Sequence, residues 1–494
     1  MFEYLSFLRP PPEACPLGQP VTFVPQIAND LRTEPCETEH NIYFAWQSDS
    51  GALDRTGFIK LTTWRPGSGS YKPLSVALPS GARPGDAWRL CLAVNLDPKN
   101  LPQALVLGLA QNEFGRLPFP VTSLPISVLA GESAGPTGKA RGNKPSPNKQ
   151  PKAKSKPAEI NISKQEKIER FYLLPLNRGT LRITEQTSFD LDKKIWDSGV
   201  AASSWLARLL VSPENPGRPH ELIEHFRTRL QPGRDRNRAL QIVELGAGTG
   251  LVSLVLGVLL AQCGANNDQA GGSMRARILA TDLSSAIELI DHNKVSNSHL
   301  FDGNTSGFEG PEEAYRTCEI ELHAAELDWD SPIPSSVWPR DRGSGAQYPF
   351  DIVIGFEGPE EAYRTCEIEL HAAELDWDSP IPSSVWPRDR GSEAQYPFDI
   401  VIMADVTYNT ASFGALLDTV TGLLRGPSAP GLSAIVLLAY KSRDPAERTL
   451  WIDAQNRGLA FVLVDTVKGV REPAVEIWLG GWERDVKSLW SDTR

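Results

Sequence analysis

The stretch from Gln241 to Gly250 (QIVELGAGTG) constrains the fold of this chain more than any other segment. A short apolar run leads into three alternating glycines, Gly246, Gly248 and Gly250, and a strongly apolar segment follows over residues 251–263 (LVSLVLGVLLAQC). Strand, glycine turn and buried helix in this order are typical of the opening of a nucleotide-binding α/β domain. Glycine suits such a turn because a Cβ atom would collide with a ligand lying against the backbone. The spacing G-x-G-x-G differs from the G-x-G-x-x-G of dinucleotide sites, so its surroundings must decide its meaning.

Strands and helices alternate along the chain after the glycine turn. Ala276–Asp282 is an apolar strand that ends in an acid, and residues 286–294 are predicted to form the next helix. Three more strands are predicted over 434–440, 460–466 and 474–479. This alternation predicts an α/β fold with a parallel sheet. Because only a few residues join the last two strands, they should form a hairpin, with the final strand antiparallel.

The first 130 residues have a different character. They are rich in proline and in short β-forming runs separated by turn signals such as Pro66-Gly67. This pattern predicts a small all-β domain, either a sandwich or a barrel. Its tryptophans, Trp46, Trp64 and Trp88, either pack in the core or line a groove for a protein partner.

Residues 131–158 are predicted to be a linker, because they are rich in Lys, Pro, Gly and Ser and contain no aromatic residue. The basic run is a solvated spacer, an electrostatic tether or a nuclear import signal. The expected domains are therefore 1–130, all-β, and 159–494, α/β.

A near-perfect repeat interrupts the second domain. Residues 307–354 recur as 355–402, 48 residues that differ only in Gly345 against Glu393. Two adjacent copies this alike indicate a recent tandem duplication or a sequence-assembly error. Only the second copy continues into the segment 403–409 (MADVTYN). The strand before the one that leads into this segment comes from either copy, Cys318–Trp329 of the first or Cys366–Trp377 of the second. The second is favoured because it keeps that strand and its neighbour in one uninterrupted unit.

Composition narrows the classes of function. The net charge of −11 argues against nucleic acid or an anionic membrane as a general partner. The six cysteines form no C-x-x-C pair, so we expect reduced thiols in an intracellular compartment and no metal. The first residues lack the basic region of a signal peptide, and the longest apolar run is too short to cross a bilayer. We expect a cytoplasmic protein, with a nuclear pool as an alternative, acting as a monomer.

Four predicted strand ends carry groups suited to a ligand. In an open parallel sheet, ligands bind beyond the carboxyl ends of the strands. The glycine turn offers close backbone approach, and Asp282 offers a carboxylate to the hydroxyls of a ribose. Asp376-Trp377, or Asp328-Trp329 of the first copy, offers an acceptor and a ring to an adenine, and Ala404-Asp405 ends the fourth strand. A nucleoside without a pyrophosphate fits these groups, and S-adenosylmethionine has that shape.

The motifs 195–199 (IWDSG), 244–250 (ELGAGTG), 281–282 (TD), 375–377 (LDW) and 404–408 (ADVTY) together make the sequence resemble a known family. It is similar to the seven-strand S-adenosylmethionine-dependent methyltransferases, and more narrowly to methyltransferase family 16, whose members methylate lysines of non-histone proteins. The resemblance covers about 160–482 and implies a Rossmann-like seven-strand sheet. The resemblance and the strand-end pattern place these residues at the cofactor: Trp196, Glu244, Gly246, Ala247, Gly248, Asp282, Asp376, Trp377 and Ala404. Asp405 and Tyr408 are expected to face the acceptor amine as catalytic residues.

The predicted reaction is methyl transfer to a lysine side chain of a protein substrate. The nucleophile must be a neutral amine, and a carboxylate at Asp405 can accept its N–H and aim its lone pair. The alternatives are a methyltransferase acting on a small-molecule amine or another side chain, and a non-catalytic interaction protein that retains the fold.

Overall fold

The structure is a computed structural model. It describes residues 1–67, 72–96, 104–131, 162–177, 179–187, 191–211, 221–231, 239–266, 275–301, 322–325, 367–382, 385–387, 397–425 and 434–490. In these parts of the chain, no helix is long and apolar enough to span a bilayer. The predicted linker and Trp329 lie outside the described residues.

The N-terminal region is built of short strands, as its alternating pattern predicts. They are β1 (Tyr4–Arg9), β2 (Ala14–Pro16), β3 (Pro20–Ala28), β4 (His40–Ser48), β5 (Ile59–Trp64), β6 (Leu74–Ala77), β7 (Ala87–Val94), β8 (Val106–Gly108), β9 (Val121–Ser123) and β10 (Ile126–Leu129). One sheet has the order β1-β3-β6. A larger sheet includes the path β9-β7-β10-β2, with β4 paired to both β5 and β7.

Two strands beyond the predicted linker join this larger sheet. They are β11 (Lys167–Leu173) and β12 (Thr180–Gln186). β11 pairs with β9 and β8, and β12 pairs with β11 and ends the order β12-β11-β9-β7-β10-β2. The hydrogen bonds of one sheet therefore include residues on both sides of position 159.

A shared hydrophobic core lies between the N-terminal strands. Leu5 of β1, Phe23 of β3 and Leu92 of β7 are buried together, and Trp46 and Trp64 belong to the same cluster. The indole nitrogens of Trp46 and Trp64 donate to the carbonyls of Ala77 and Cys36. The tryptophans of this region are core residues, with Trp88 packed partly buried against the cluster.

The C-terminal region forms one mixed sheet covered by helices on both faces. Its strands are β13 (Leu240–Leu245), β14 (Arg275–Asp282), β15 (Leu322–Ala325), β16 (Glu367–Glu374), β17 (Ile400–Ala404), β18 (Ile435–Lys441), β19 (Leu459–Val467) and β20 (Val475–Trp482). Its helices are α1 (Asp197–Val211), α2 (Glu221–Leu230), α3 (Leu251–Asn266), α4 (Ser284–Ser296), α5 (Phe413–Arg425), α6 (Thr449–Asn456) and α7 (Glu483–Trp490). The sheet order is β15-β16-β14-β13-β17-β18-β20-β19.

This architecture is the predicted Rossmann-like methyltransferase sheet. All six residues of β13 are buried, because Ile242 packs into the core beside α1 and α3 while Val243 packs into the core beside α5. The final strand, β20, is antiparallel to both β18 and β19, as the short connection predicts. Because β13 and β17 are parallel neighbours, the glycine turn and Asp405 lie at the same edge of the sheet.

The repeat adds an eighth strand at the edge of the sheet. The second copy supplies β16, which pairs along its whole length with β14. The first copy supplies β15, which pairs with β16 in the register that places Leu322 opposite Leu370, its own counterpart. The second copy therefore lies beside the glycine-turn strands, as uninterrupted connectivity favours, and the first lies outside it.

Helix α4 joins the two regions through side-chain amides. Asn293 accepts from the backbone nitrogen of Thr184 at 2.8 Å and donates to its carbonyl at 3.0 Å. One helical turn later, Asn297 makes the same pair of bonds to Arg182, at 2.8 and 2.7 Å. The two amides thus hydrogen-bond the edge strand β12 of the N-terminal sheet as a neighbouring strand would. Asn293 also donates to the carbonyl of Thr249 at 2.9 Å, which joins the same amide to the glycine turn.

Candidate active site

The glycine turn has the backbone geometry that its sequence predicts. Gly246, Gly248 and Gly250 have φ values of 66°, 58° and 76°, in the left-handed region that favours glycine. A Cβ atom added at Gly246 would lie 2.6 Å from Cγ1 of Val406. The turn therefore requires glycine at this position both for its conformation and for its close approach to the end of β17.

Hydrogen bonds hold the turn against the tip of β14. The nitrogen of Ala247 donates to the carbonyl of Thr281 at 3.0 Å, and the nitrogen of Gly248 donates to Oδ2 of Asp282 at 2.6 Å. Oδ1 of Asp282 accepts from the nitrogen of Leu283 at 2.7 Å. Burial raises the pKa of Asp282 to about 6, against the effect of these N–H groups. Two of the predicted cofactor residues, Gly248 and Asp282, are thus in direct contact.

The structure places Glu244 on the helix side of the turn. Glu244 is 1% exposed, and its carboxyl accepts hydrogen bonds from the backbone nitrogen of Ser253 at 3.0 Å and from the Ser253 hydroxyl. Burial raises the pKa of Glu244 to about 7, although the bonds from Ser253 lower it. This carboxyl holds the first turn of α3 beneath the glycines, and Ala247 packs beside Ile287 and Ile290 of α4.

The third strand tip contributes an indole that lies against the turn. Cζ2 of Trp377 is 3.8 Å from the position that a Cβ of Gly246 would take. Asp376 accepts from the nitrogen of Asp378 at 3.0 Å and from the hydroxyl of Ser379 at 3.1 Å, so its carboxyl shapes the turn after β16. Trp377 belongs to the second copy of the repeat.

The segment that precedes α1 covers the other side of the turn. The carbonyl of Asp192 is 3.4 Å from the Cβ position of Gly248. The indole nitrogen of Trp196 donates to the carbonyl of Leu191 at 2.8 Å, which holds the ring in this segment. The guanidinium carbon of Arg443 lies 5.1 Å from the centre of the Trp196 ring.

Asp405 and Tyr408 follow Ala404 at the tip of β17, next to the turn. Asp405 is only 9% exposed, and its backbone has a φ of 62°, a left-handed conformation that is strained for a residue other than glycine. Burial raises the pKa of Asp405 to about 6, opposed by Arg443. Tyr408 is 58% exposed, and burial, followed by the charges of Asp282, Asp192 and Asp405, raises its pKa. The tyrosine therefore lies close enough to these three carboxyls for their charges to act on its hydroxyl.

Sequence reasoning missed the partner of Asp405. Arg443, two residues beyond β18, donates from Nε to Oδ1 of Asp405 at 3.3 Å and from Nη2 to Oδ2. The same guanidinium donates to Asp30, 413 residues away, at 2.9 Å. A signal for Arg443 was present, since Lys441 ends a fully buried strand and Arg443 follows two residues later. No local pattern marks Asp30, because its role depends on tertiary contact.

A family model described as lysine methyltransferase matches residues 176–308 and 361–456 of this chain. The matched ranges contain all the predicted site residues and leave out 309–360, which holds most of the first repeat copy. Over these ranges the C-terminal domain is similar to this lysine methyltransferase family. It is an S-adenosylmethionine-dependent methyltransferase domain, with the N-terminal strands as an addition to the matched region.

Solved structures similar to this chain include TYW2 of P. horikoshii in complex with MeSAdo and MNMC2 of Aquifex aeolicus. The first is 10% identical, with 65% of this chain and 73% of that chain covered and a TM-score of 0.29. The second is 11% identical, with 63% and 72% covered and a TM-score of 0.24. No curated protein matches the sequence.

Proposed function

We propose that this methyltransferase transfers a methyl group from S-adenosylmethionine to a lysine side chain of a protein. The observation that carries the proposal is the position of Asp405, a buried carboxyl in a strained backbone conformation at the strand tip beside the glycine turn. The description of the matching family supports lysine as the acceptor.

The groups around the turn suit the cofactor. The glycine backbone offers a surface that a Cβ would block, Asp282 offers oxygens to ribose hydroxyls, and Trp377 offers an aromatic face to the adenine. Trp196, Ala404 and Asp376 complete the proposed cofactor residues, while Glu244 and Ala247 support the turn from behind. When bound, S-adenosylmethionine supplies an electrophilic methyl group on its sulfonium.

Residues of the site favour the neutral form of the acceptor amine and orient it. A lysine ammonium that enters beside Tyr408 is attracted by the carboxylates of Asp192, Asp282 and Asp405. Partial desolvation lowers the pKa of the lysine from roughly 10.4 and favours the neutral amine. Asp405 then accepts an amine N–H, so that the nitrogen lone pair points at the methyl carbon. Positioning supplies most of the rate in such a displacement.

The test is transfer of radiolabelled methyl from the cofactor into proteins of a cell lysate, followed by mapping of the labelled residue. We expect the wild-type chain to label a protein lysine and Asp405→Asn to lose at least about a hundredfold in rate with cofactor affinity retained. Asp465→Asn, at an exposed acid of β19, is the matched control.

Three other results would reject the proposal. Label confined to small molecules would indicate a small-amine methyltransferase, and label on another side chain would change the acceptor. Cofactor binding without any transfer, in wild type and variants alike, would indicate an interaction protein that retains the fold.

A further inference from the structure

An aspartate of the N-terminal β region reaches the acceptor side of the methyl-transfer site. Asp30 follows β3 and is fully buried. Its Oδ1 accepts from Nζ of Lys441 at 2.8 Å, and its Oδ2 accepts from Nη2 of Arg443 at 2.9 Å. Nη1 of Arg443 adds a longer bond to Oδ1 at 3.4 Å. Asp30 therefore binds both Lys441, the last residue of β18, and Arg443, two residues beyond it.

Arg443 lies between two carboxylates from distant parts of the chain. Its Nη1 and Nη2 donate to Asp30, while its Nε and Nη2 donate to Asp405. A guanidinium is planar and presents its donors in a fixed fork, so occupying one edge determines where the other edge points. The ring of Trp196 beneath the guanidinium further limits its movement.

The same aspartate holds the start of α1. Oδ2 of Asp30 accepts from the nitrogen of Asp197 at 3.3 Å, and Lys441 lies 2.9 Å from Oδ2 of Asp197. Oδ1 of Asp197 in turn accepts from the hydroxyl of Tyr4 at 2.8 Å. The contact of Asp30 with the α/β domain is therefore part of a buried polar network, in which removal of one member affects the orientation of the others.

We propose that Asp30 is a positioning residue of the methyl-transfer site, which orients Arg443 and through it Asp405. The N-terminal β region thereby contributes a residue that supports catalysis in the C-terminal domain. The inference rests on the proposed function, in which Asp405 receives the acceptor amine.

The charges around Asp405 give this role a measurable signature. Arg443 hydrogen-bonds the carboxyl, the charges of Asp30 and Lys441 also act on it, and its own charge acts on Tyr408. Asp197 acts on Asp30 and Lys441 in turn. After burial, which raises the pKa of Asp405, Arg443 lowers it and Asp30 raises it. Removing the charge of Asp30 should therefore lower the pKa of Asp405, since a raising influence is lost and Arg443 is no longer shared.

The experiment compares wild type, Asp30→Asn and Asp30→Glu in the full chain, with the exposed Glu113→Gln of the same region as control. We measure kcat and KM for methyl transfer between pH 5 and 9, and the affinity for S-adenosylmethionine. We expect Asp30→Asn to lower kcat about tenfold or more, with cofactor affinity within about twofold. In this variant the acidic limb of the pH profile of kcat should move to lower pH, because Asp405 remains ionised at a lower pH than in wild type. Asp30→Glu should recover part of the wild-type kcat and return the acidic limb to its wild-type pH. Glu113→Gln should match wild type in both.

An unchanged kcat and pH profile in Asp30→Asn would overturn the inference. If that variant does not fold, Arg443→Lys takes its place, because lysine keeps the charge but lacks the fork. A fully active Arg443→Lys would also overturn the inference. The proposed function fails separately: full activity of Asp405→Asn rejects it, whereas an inactive Asp405→Asn with a fully active Asp30→Asn rejects only the role of Asp30.

Discussion

Glu244 and Asp405 show how similar side chains at neighbouring strand ends acquire different tasks. Both are buried carboxyls with raised pKa values. Glu244 faces the start of α3 and accepts hydrogen bonds from Ser253, whereas Asp405 faces Arg443 beyond the carboxyl ends of the strands. The resemblance and the strand-end pattern predict ligand contact for both, and the direction of each side chain depends on its strand position and on its partner.

The buried carboxyl of Glu244 predicts a specific dependence of stability on pH. Its pKa is about 7 in the folded protein, against 4.5 for an unperturbed glutamate side chain. Between these values the folded state keeps a proton that the unfolded state has lost, so this contribution to the free energy of unfolding decreases as pH rises. The change is on the order of 3 kcal/mol.

Glu244→Gln should therefore gain stability relative to wild type as pH is raised from 4.5 to 7. Urea unfolding at a series of pH values measures this, with Glu113→Gln as an exposed control that should run parallel to wild type. A Glu244→Gln curve parallel to wild type as well would show that the carboxyl does not bind its proton more tightly in the folded state.

At the scale of elements, the contact between α4 and β12 connects the two regions. An unpaired edge strand invites pairing with other chains, and here side-chain amides of a helix occupy that edge. Asn293 and Asn297 are spaced i, i+4, so they lie on one face of the helix and its end. Only Asn293 among these two also bonds the glycine turn, through Thr249.

This difference predicts that substitutions at Asn293 and Asn297 will have different effects on cofactor binding. Asn293→Ala and Asn297→Ala should each lower the free energy of unfolding by about 2–3 kcal/mol, because each leaves backbone groups of β12 unpaired, buried at Thr184 and partly buried at Arg182. Asn293→Ala should in addition weaken S-adenosylmethionine binding about fivefold or more, while Asn297→Ala should leave it within about twofold. Thermal unfolding and calorimetric titration measure the two effects. Equal cofactor affinity in the two variants would show that the bond to Thr249 does not position the turn.

At the scale of the molecule, the described part of the first repeat copy, β15, lies at the edge of the C-terminal sheet. β15 pairs with β16 and adds no strand between those that carry the site. Deleting residues 307–354 joins 306 to 355 and leaves the second copy continuous with β17. Deleting 355–402 yields the same chain except for Gly345 in place of Glu393, so it serves as a matched duplicate.

Either deletion should preserve the fold and the site. We expect a melting temperature within about 3 °C of wild type and cofactor affinity within about twofold, because an outer edge strand contributes few contacts to the core. A deletion product that is insoluble or does not bind cofactor would show that β15 is integral to the sheet. In the protein from its natural source, the tryptic peptide 343–364 spans the junction of the copies, and its detection by mass spectrometry tests whether the repeat is translated.

Much of the C-terminal fold was predictable because it follows from local patterns. The strand before Gly246, the helix after Gly250 and the antiparallel β20 are set by apolar periodicity, turn residues and a short connection. Strand ends at one edge of a parallel sheet meet, so Asp282 and Asp405 could be assigned to one site from their positions after apolar runs.

The rest depends on contacts between residues far apart in the chain. The sequence of β12 does not specify the sheet that this strand joins, and the structure pairs it with β11 in the larger N-terminal sheet. Amphipathic periodicity determined the elements and their buried faces, because it acts over a few residues. Only the tertiary structure brought Asp30 to Arg443 and Asn293 to Thr184, since an ion pair or a side-chain amide bond between distant segments leaves no periodic trace in the sequence.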